Sequence, residues 1–332
     1  KSADNADIQA INFTTPASTQ SDFDGYISVQ ALRDANTGNI TPAQGLTVSS
    51  IANISNTNFY NVMLNIYKPE PLTPSSITLK DAKFFAETES QTISPYAINI
   101  TETDNISIQN SKFVDYLGGI CVGLPWPISG KATKTTGTIK NNTISFNPNV
   151  IITKDGKALD RVGIEINSAN INVEDNEIEG GDIGIMMKNN SSGRISNNTV
   201  SFDVDTASKK GASKTGIKLS TGSSSLEISG NIIINEDDSV TTTSVVGIEI
   251  NASNANIYYN SIGFENGTSG IIRTGINVIS PTDTMNVYNN TIYNPLQAFN
   301  VTQGALQKKI KMINNIYWSD NTTYSTINDT TK

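Results

Sequence analysis

Apolar residues recur along most of this chain in two alternating short patterns. One reads apolar-x-x-Asn-x-apolar, as in Val173, Asn176, Ile178 and again in Ile195, Asn198, Val200. The other reads Gly-Ile-x-apolar, as in Gly163-Ile164-Glu165-Ile166 and Gly184-Ile185-Met186-Met187. The second Asn follows the first by 22 residues, too few for a strand–helix–strand unit and suited to one coil of a β-solenoid. The Asn appears seven times, at 142, 176, 198, 231, 260, 290 and 315, in steps of 34, 22, 33, 29, 30 and 25 residues. Upstream, Ile54–Phe59, Leu79–Phe84 and Ile108–Phe113 keep the apolar spacing with Thr57, Ala82 or Ser111 at the Asn position. Asn side chains stacked at an inward turn are expected to hydrogen-bond along the stack, which satisfies amides that are costly to bury unpaired.

Alternation within the companion segment places the Ile positions in the core and the residue between them outside. Glu165, Met186, Lys218, Glu249 and Asn277 then form one outward column. Arg161, Asp182, Lys214, Val245 and Arg273, two residues before each Gly, read as a second. The glycines 163, 184, 216, 247 and 275 read as a third. Outward glycines between taller side chains predict a shallow furrow in which a polymer lies against the backbone. The alternative is that each Gly closes the preceding loop at a backbone angle other residues avoid.

These two patterns resemble the parallel β-helix repeat of the pectate-lyase-like superfamily of right-handed β-helices, over roughly residues 50–318. The resemblance implies an all-β, single-stranded right-handed parallel β-helix of about ten rungs over residues 47–318. Residues 1–46 form an N-terminal cap, and residues 319–332 a Thr/Asn-rich tail. It implies no single activity, because one scaffold serves lyases, hydrolases, tailspikes and adhesins.

Composition narrows the functions. The net charge of −8 argues against a nucleic-acid partner, and the lack of His removes the commonest general base and metal ligand. One cysteine, Cys121, excludes an intrachain disulfide framework. No apolar run reaches the length of a membrane span. Charged residues are only 16%, and Asn-x-Ser/Thr sequons occur at Asn12, Asn53, Asn99, Asn105, Asn266 and elsewhere. Together these predict an extracellular or cell-surface glycoprotein.

Glycoside hydrolysis needs two carboxylates about 5–9.5 Å apart. Glu165 and Glu249 lie three rungs apart, roughly 14 Å, and Glu165 and Asp182 about 13 Å apart along the strands. The Gly-His-Gly motif of the polygalacturonase relatives is absent. The superfamily's lyases use Lys or Arg as base with calcium on the substrate carboxylate, which would cast Lys218 and Arg273 as the catalytic pair. Lys218 beside Glu249 also reads as a cross-rung ion pair.

Long insertions leave one corner and carry Asp203, Asp205, Glu236 and Asp238, an acidic set that reads either as a Ca2+ site or as a solvated loop edge. Trp126, between two prolines, is placed to stack on a sugar or to cover the solenoid's edge. The leading expectation is a non-catalytic surface protein (adhesin, surface structure or fibre) that requires no cofactor. It binds a polysaccharide or surface glycan through Arg161, Glu165, Asp182, Lys214, Lys218, Glu249, Arg273 and Trp126. The alternatives are a calcium-dependent polysaccharide lyase acting on an acidic polymer, and self-assembly end to end.

Overall fold

A computed structural model describes residues 52–60, 62–67, 76–86, 96–101, 103–123, 135–147, 160–202, 212–220, 222–223, 226–236, 242–251, 254–265, 271–281, 284–302 and 310–319, with the backbones of short strands at 7–8, 12–13, 27–30, 43–48, 153–154, 157–158 and 327–329. Three parallel sheets of 12, 11 and 11 strands run the length of the chain. Each coil visits them in turn, as in Val162–Asn167 of the first sheet, Asn170–Glu174 of the second and Glu177–Glu179 of the third. The next coil returns to the first sheet at Ile183–Lys188, paired in register with Val162–Asn167. The chain is a right-handed parallel β-helix.

The sheets extend past the expected boundaries. Asp7–Ile8 pairs with Ala43–Val48 in the first sheet, so the boundary expected after residue 46 falls inside a strand. Ile327–Asp329, from the segment expected to be a tail, pairs with Gln297–Thr302. Asn12–Phe13 and Ile27–Gln30 pair in the second and third sheets, and the rest of residues 1–42 lies outside the described residues.

Between the second and third sheets, ten coils among the described residues make a sharp turn with one residue in the left-handed region, followed by a ladder position that is Asn in seven of them and Thr57, Ala82 or Ser111 in the others. The amide of Asn198 donates to Asn231 Oδ1 at 3.0 Å and receives from Asn176 Nδ2 at 2.9 Å on its own Oδ1. The same link joins Asn142 to Asn176, Asn231 to Asn260, Asn260 to Asn290 and Asn290 to Asn315. Each Oδ1 also accepts from the backbone N–H of the preceding ladder residue, at 3.0 Å for Asn176 onto Asn198. Ser111 continues the ladder by receiving the Ala82 N–H while its own N–H donates to Asn142. The buried amides are thereby satisfied, as the repeat predicts.

The third sheet supplies an inward column that begins as stacked rings, Phe59 on Phe84 and Phe84 on Phe113, with centroids 4.3 and 5.0 Å apart. In register it continues through Ile144, Ile178, Val200, Ile233, Ile262 and Ile292. These side chains explain the glycines. A Cβ on Gly184 would lie 2.6 Å from the carbonyl oxygen of Gly216 and 2.6 Å from a methyl of Val200, and Gly163, Gly216, Gly247 and Gly275 face their neighbours in the same way. The glycine column therefore turns its open side toward the core, so the furrow expected on the outer surface does not form. None of these five glycines has a positive φ; close approach, not an unusual backbone angle, requires Gly here.

This corner shifts the register of what precedes it. Gly163 and Ile164 both face inward, so the alternation breaks between them. Arg161, Asp182, Lys214 and Arg273 turn inside with Val245, and all are at most 9% exposed. The outward column expected at these positions is thus an inward one. Val162, Ile183 and Val246, one residue before each Gly, stand outside the continuous apolar core to which Val245 belongs.

Candidate functional site

The outer face of the first sheet carries the most concentrated chemistry among the described residues. Asn99, Cys121, Glu165, Met186, Lys218, Glu249, Asn277 and Asn300 follow one another in register down it. Alternation around inward Ile164 and Ile166 makes Glu165 an outward residue, as expected, and neighbouring side chains close over it to 7% exposure.

Glu165 is the hub of a polar cluster. The Tyr96 hydroxyl donates to Oε2. Oε1 accepts from Asn167 Nδ2 at 2.7 Å and lies 2.8 Å from Lys188 Nζ. Asn189 Nδ2 in turn donates to Asn167 Oδ1 at 3.1 Å. Local structure places each partner. Asn167 lies two residues along the strand from Glu165 on the same face, and Lys188 is Asn167's cross-strand neighbour. Tyr96 sits two strands away, and Gly118, its neighbour in register, offers no side chain to block its reach.

The electrostatics follow from this arrangement. Burial alone would raise the Glu165 carboxyl, but the bonds from Lys188, Tyr96 and Asn167 outweigh it and hold the group below the usual carboxylate range. The Tyr96 phenol is driven far above its ordinary value by burial first, then by the adjacent Glu165 charge. The same two causes push the Cys121 thiol up to about 12. Glu165 is thus a fixed carboxylate, Tyr96 a fixed donor and Cys121 an inert thiol.

Lower on the strip, Lys218 Nζ lies 3.0 Å from Glu249 Oε1, and Asn300 Nδ2 donates to Asn277 Oδ1 at 2.9 Å. The cross-rung ion pair read from the sequence is therefore present. Among the described residues no three side chains of metal-binding type come together, and no helix is long and apolar enough to cross a membrane.

No family model matches this chain, and no curated protein does. Two solved structures are similar to it. One is an alginate lyase from Paenibacillus sp. str. FPU-7, at 14% identity over 88% of this chain and 95% of that one, with a TM-score of 0.47. The other is the periplasmic alginate epimerase AlgG, at 12% identity over 83% of this chain and 74% of that one, with a TM-score of 0.43.

The remaining residues singled out in the sequence fall into two groups. Those of the inward column meet the corner instead of solvent. Arg161 lies 6.0 Å over the Phe146 ring, donates from Nη1 to the Asn147 carbonyl at 2.9 Å and pairs with Asp182 at 3.7 Å. Asp182 also accepts the Arg161 N–H at 2.8 Å. Lys214, 1% exposed, stands 5.8 Å over the Phe202 ring. Arg273 donates to the Glu265 carbonyl at 2.8 Å, and burial lowers its guanidinium from the ordinary value. Trp126, Asp203, Asp205 and Asp238 lie outside the described residues; Glu236 is described and bonds through its backbone N–H to the Phe202 carbonyl.

Sequence reasoning missed Tyr96, Asn167 and Lys188. Asn167 and Lys188 were legible, since each lies two residues past a member of the Glu165 column on the same face. Tyr96 lies outside that column, and its reach to Glu165 needed the structure.

Proposed function

We propose that this protein is a non-catalytic, extracellular or cell-surface β-helix protein that binds a polysaccharide on the outer face of its first sheet. The Glu165 cluster carries the reading. It holds a carboxylate, a phenol, an amide and an ammonium group in fixed geometry on the outer face of the first sheet, with the Lys188 side chain at its exposed rim, and convergent, pre-set hydrogen-bonding groups of this kind suit sugar hydroxyls. The low charge and abundant sequons support a location outside the cytoplasm. A second reading, a calcium-dependent lyase for an acidic polysaccharide, draws on Lys188 and Lys218. Their side chains, 28% and 31% exposed, are the ammonium groups that meet a uronate on this strip. Arg273, turned inward, takes no part in it.

One experiment separates the two. The protein is run through native gels containing neutral or acidic polysaccharides, and parallel incubations with and without calcium are followed for unsaturated product. Retention weakened by Lys188→Ala, without cleavage, supports the binding protein. Cleavage lost in Lys218→Ala or with a chelator replaces it with the lyase, and neither retention nor cleavage removes both.

A further inference from the structure

Among the described residues the turn between the second and third sheets occurs ten times with a left-handed residue just before the ladder position: Asn56, Asp81, Asn110, Asn141, Asp175, Asn197, Gly230, Tyr259, Asn289 and Asn314. Nine are Asn, Asp or Gly, the residues that tolerate this conformation. Tyr259 holds φ at 57° in the same place, where a bulky side chain is disfavoured. Nothing in the fold demands it, since Asn serves on the next coil at Asn289.

The ring is not absorbed into the core. Tyr259 is 63% exposed and lies in the turn just after the second-sheet strand Ala255–Tyr258, whereas the Glu165 cluster is on the first sheet. Tyr258 and Tyr288 stack in register with centroids 5.0 Å apart and planes 5° from parallel. Tyr259 is 5.6 Å from the first and 6.2 Å from the second, with interplanar angles of 79° and 74°. The two similar distances put Tyr259 beside the stack and not on its end. Near-perpendicular planes at that range are edge-to-face contacts, since an edge-to-edge approach beside the stack would overlap the ring hydrogens. One face of Tyr259 therefore rests on the edges of Tyr258 and Tyr288, and the opposite face looks outward.

Polar groups hold the supporting pair on the side away from Tyr259, in the column two residues before Tyr258 and Tyr288. Tyr258 donates to Glu227 Oε2 at 3.3 Å, and Asn286 Nδ2 donates to Asn256 Oδ1 at 2.9 Å. From this arrangement we infer that Tyr259 is a carbohydrate-stacking platform, a second polysaccharide site separate from the first-sheet strip. A flat, exposed aromatic face, propped from behind by two rings, matches the apolar face that a pyranose presents through its axial C–H bonds.

The substitution Tyr259→Asn installs the residue this turn ordinarily carries, so folding is preserved. Full-length wild type, Tyr259→Asn, Tyr259→Phe and Lys188→Ala are run in native gels containing cellulose derivatives, xylan, mannan, alginate or polygalacturonate, alongside thermal melts. The expected result is retention by at least one polymer that weakens roughly tenfold in Tyr259→Asn and returns in Tyr259→Phe, with the melting midpoint unchanged or raised. Unchanged retention in Tyr259→Asn overturns the inference, whatever Lys188→Ala does. So does a wild type that no polymer retains. Retention lost in Lys188→Ala alone would keep the first-sheet reading and discard this one.

Discussion

The Tyr96 hydroxyl reaches across the strand of Cys121 to donate to Glu165, and Lys188 and Asn167 hold the other carboxylate oxygen. Because these bonds lower the Glu165 group in the folded state, its contribution to stability is present above the unfolded carboxylate value. It is lost as pH falls through the lower folded one. Thermal melts between about pH 7 and pH 3 should show a midpoint that drops on acidification. Part of that drop should vanish in Glu165→Gln. Tyr96→Phe, which removes one donor to a buried charge, is expected to cost about 1.5–3 kcal/mol at neutral pH, measured by denaturant titration.

Cys121 shares that environment. With the thiol pushed up to about 12 by burial and by Glu165, almost no thiolate exists at neutral pH. A thiol reagent should leave the native protein unmodified and label it rapidly once denatured. Fast native labelling would contradict the placement of Cys121 under this cluster.

The amide ladder predicts a position dependence. Asn198→Ala strips a buried donor and acceptor from Asn176 and Asn231 and should cost roughly 3 kcal/mol. Asn315, partly exposed at the end of the ladder, should cost less when replaced by Ala. Equal losses in chemical denaturation would argue against a continuous stack.

Two glycines provide an internal control. Gly216→Ala places a methyl 2.6 Å from the Gly247 carbonyl oxygen and 2.7 Å from Ile233, and overpacking of this kind costs about 1–3 kcal/mol. At Gly263, on the third sheet, an added Cβ meets nothing within 4 Å. Gly263→Ala should be neutral or stabilise by about 0.5 kcal/mol by restricting the unfolded chain. Melting curves of the pair test the close-approach argument.

Lys218→Ala should change stability by less than about 1 kcal/mol, because partly exposed ion pairs contribute little. A larger loss would mean that the Lys218–Glu249 pair supports the sheet more than its exposure suggests.

The sequence by itself determined the solenoid. A seven-fold Asn and a recurring Gly-Ile-x-apolar segment are one-dimensional signals, since each coil contacts only its neighbours and period translates directly into stacking. It also placed Glu165, Lys218 and Glu249 outside, because alternation holds wherever a strand is straight. Only the tertiary structure decided which way the corner residues face. The glycines admit the Ile and Val column of the third sheet so closely that the alternation breaks between Gly163 and Ile164. Arg161, Asp182, Lys214 and Arg273 are thereby carried inward. The same limit hid Tyr96 and Tyr259, since the reach of one side chain to a carboxylate two strands away, and the seating of one ring against two others, are set by three-dimensional approach and leave no period along the chain.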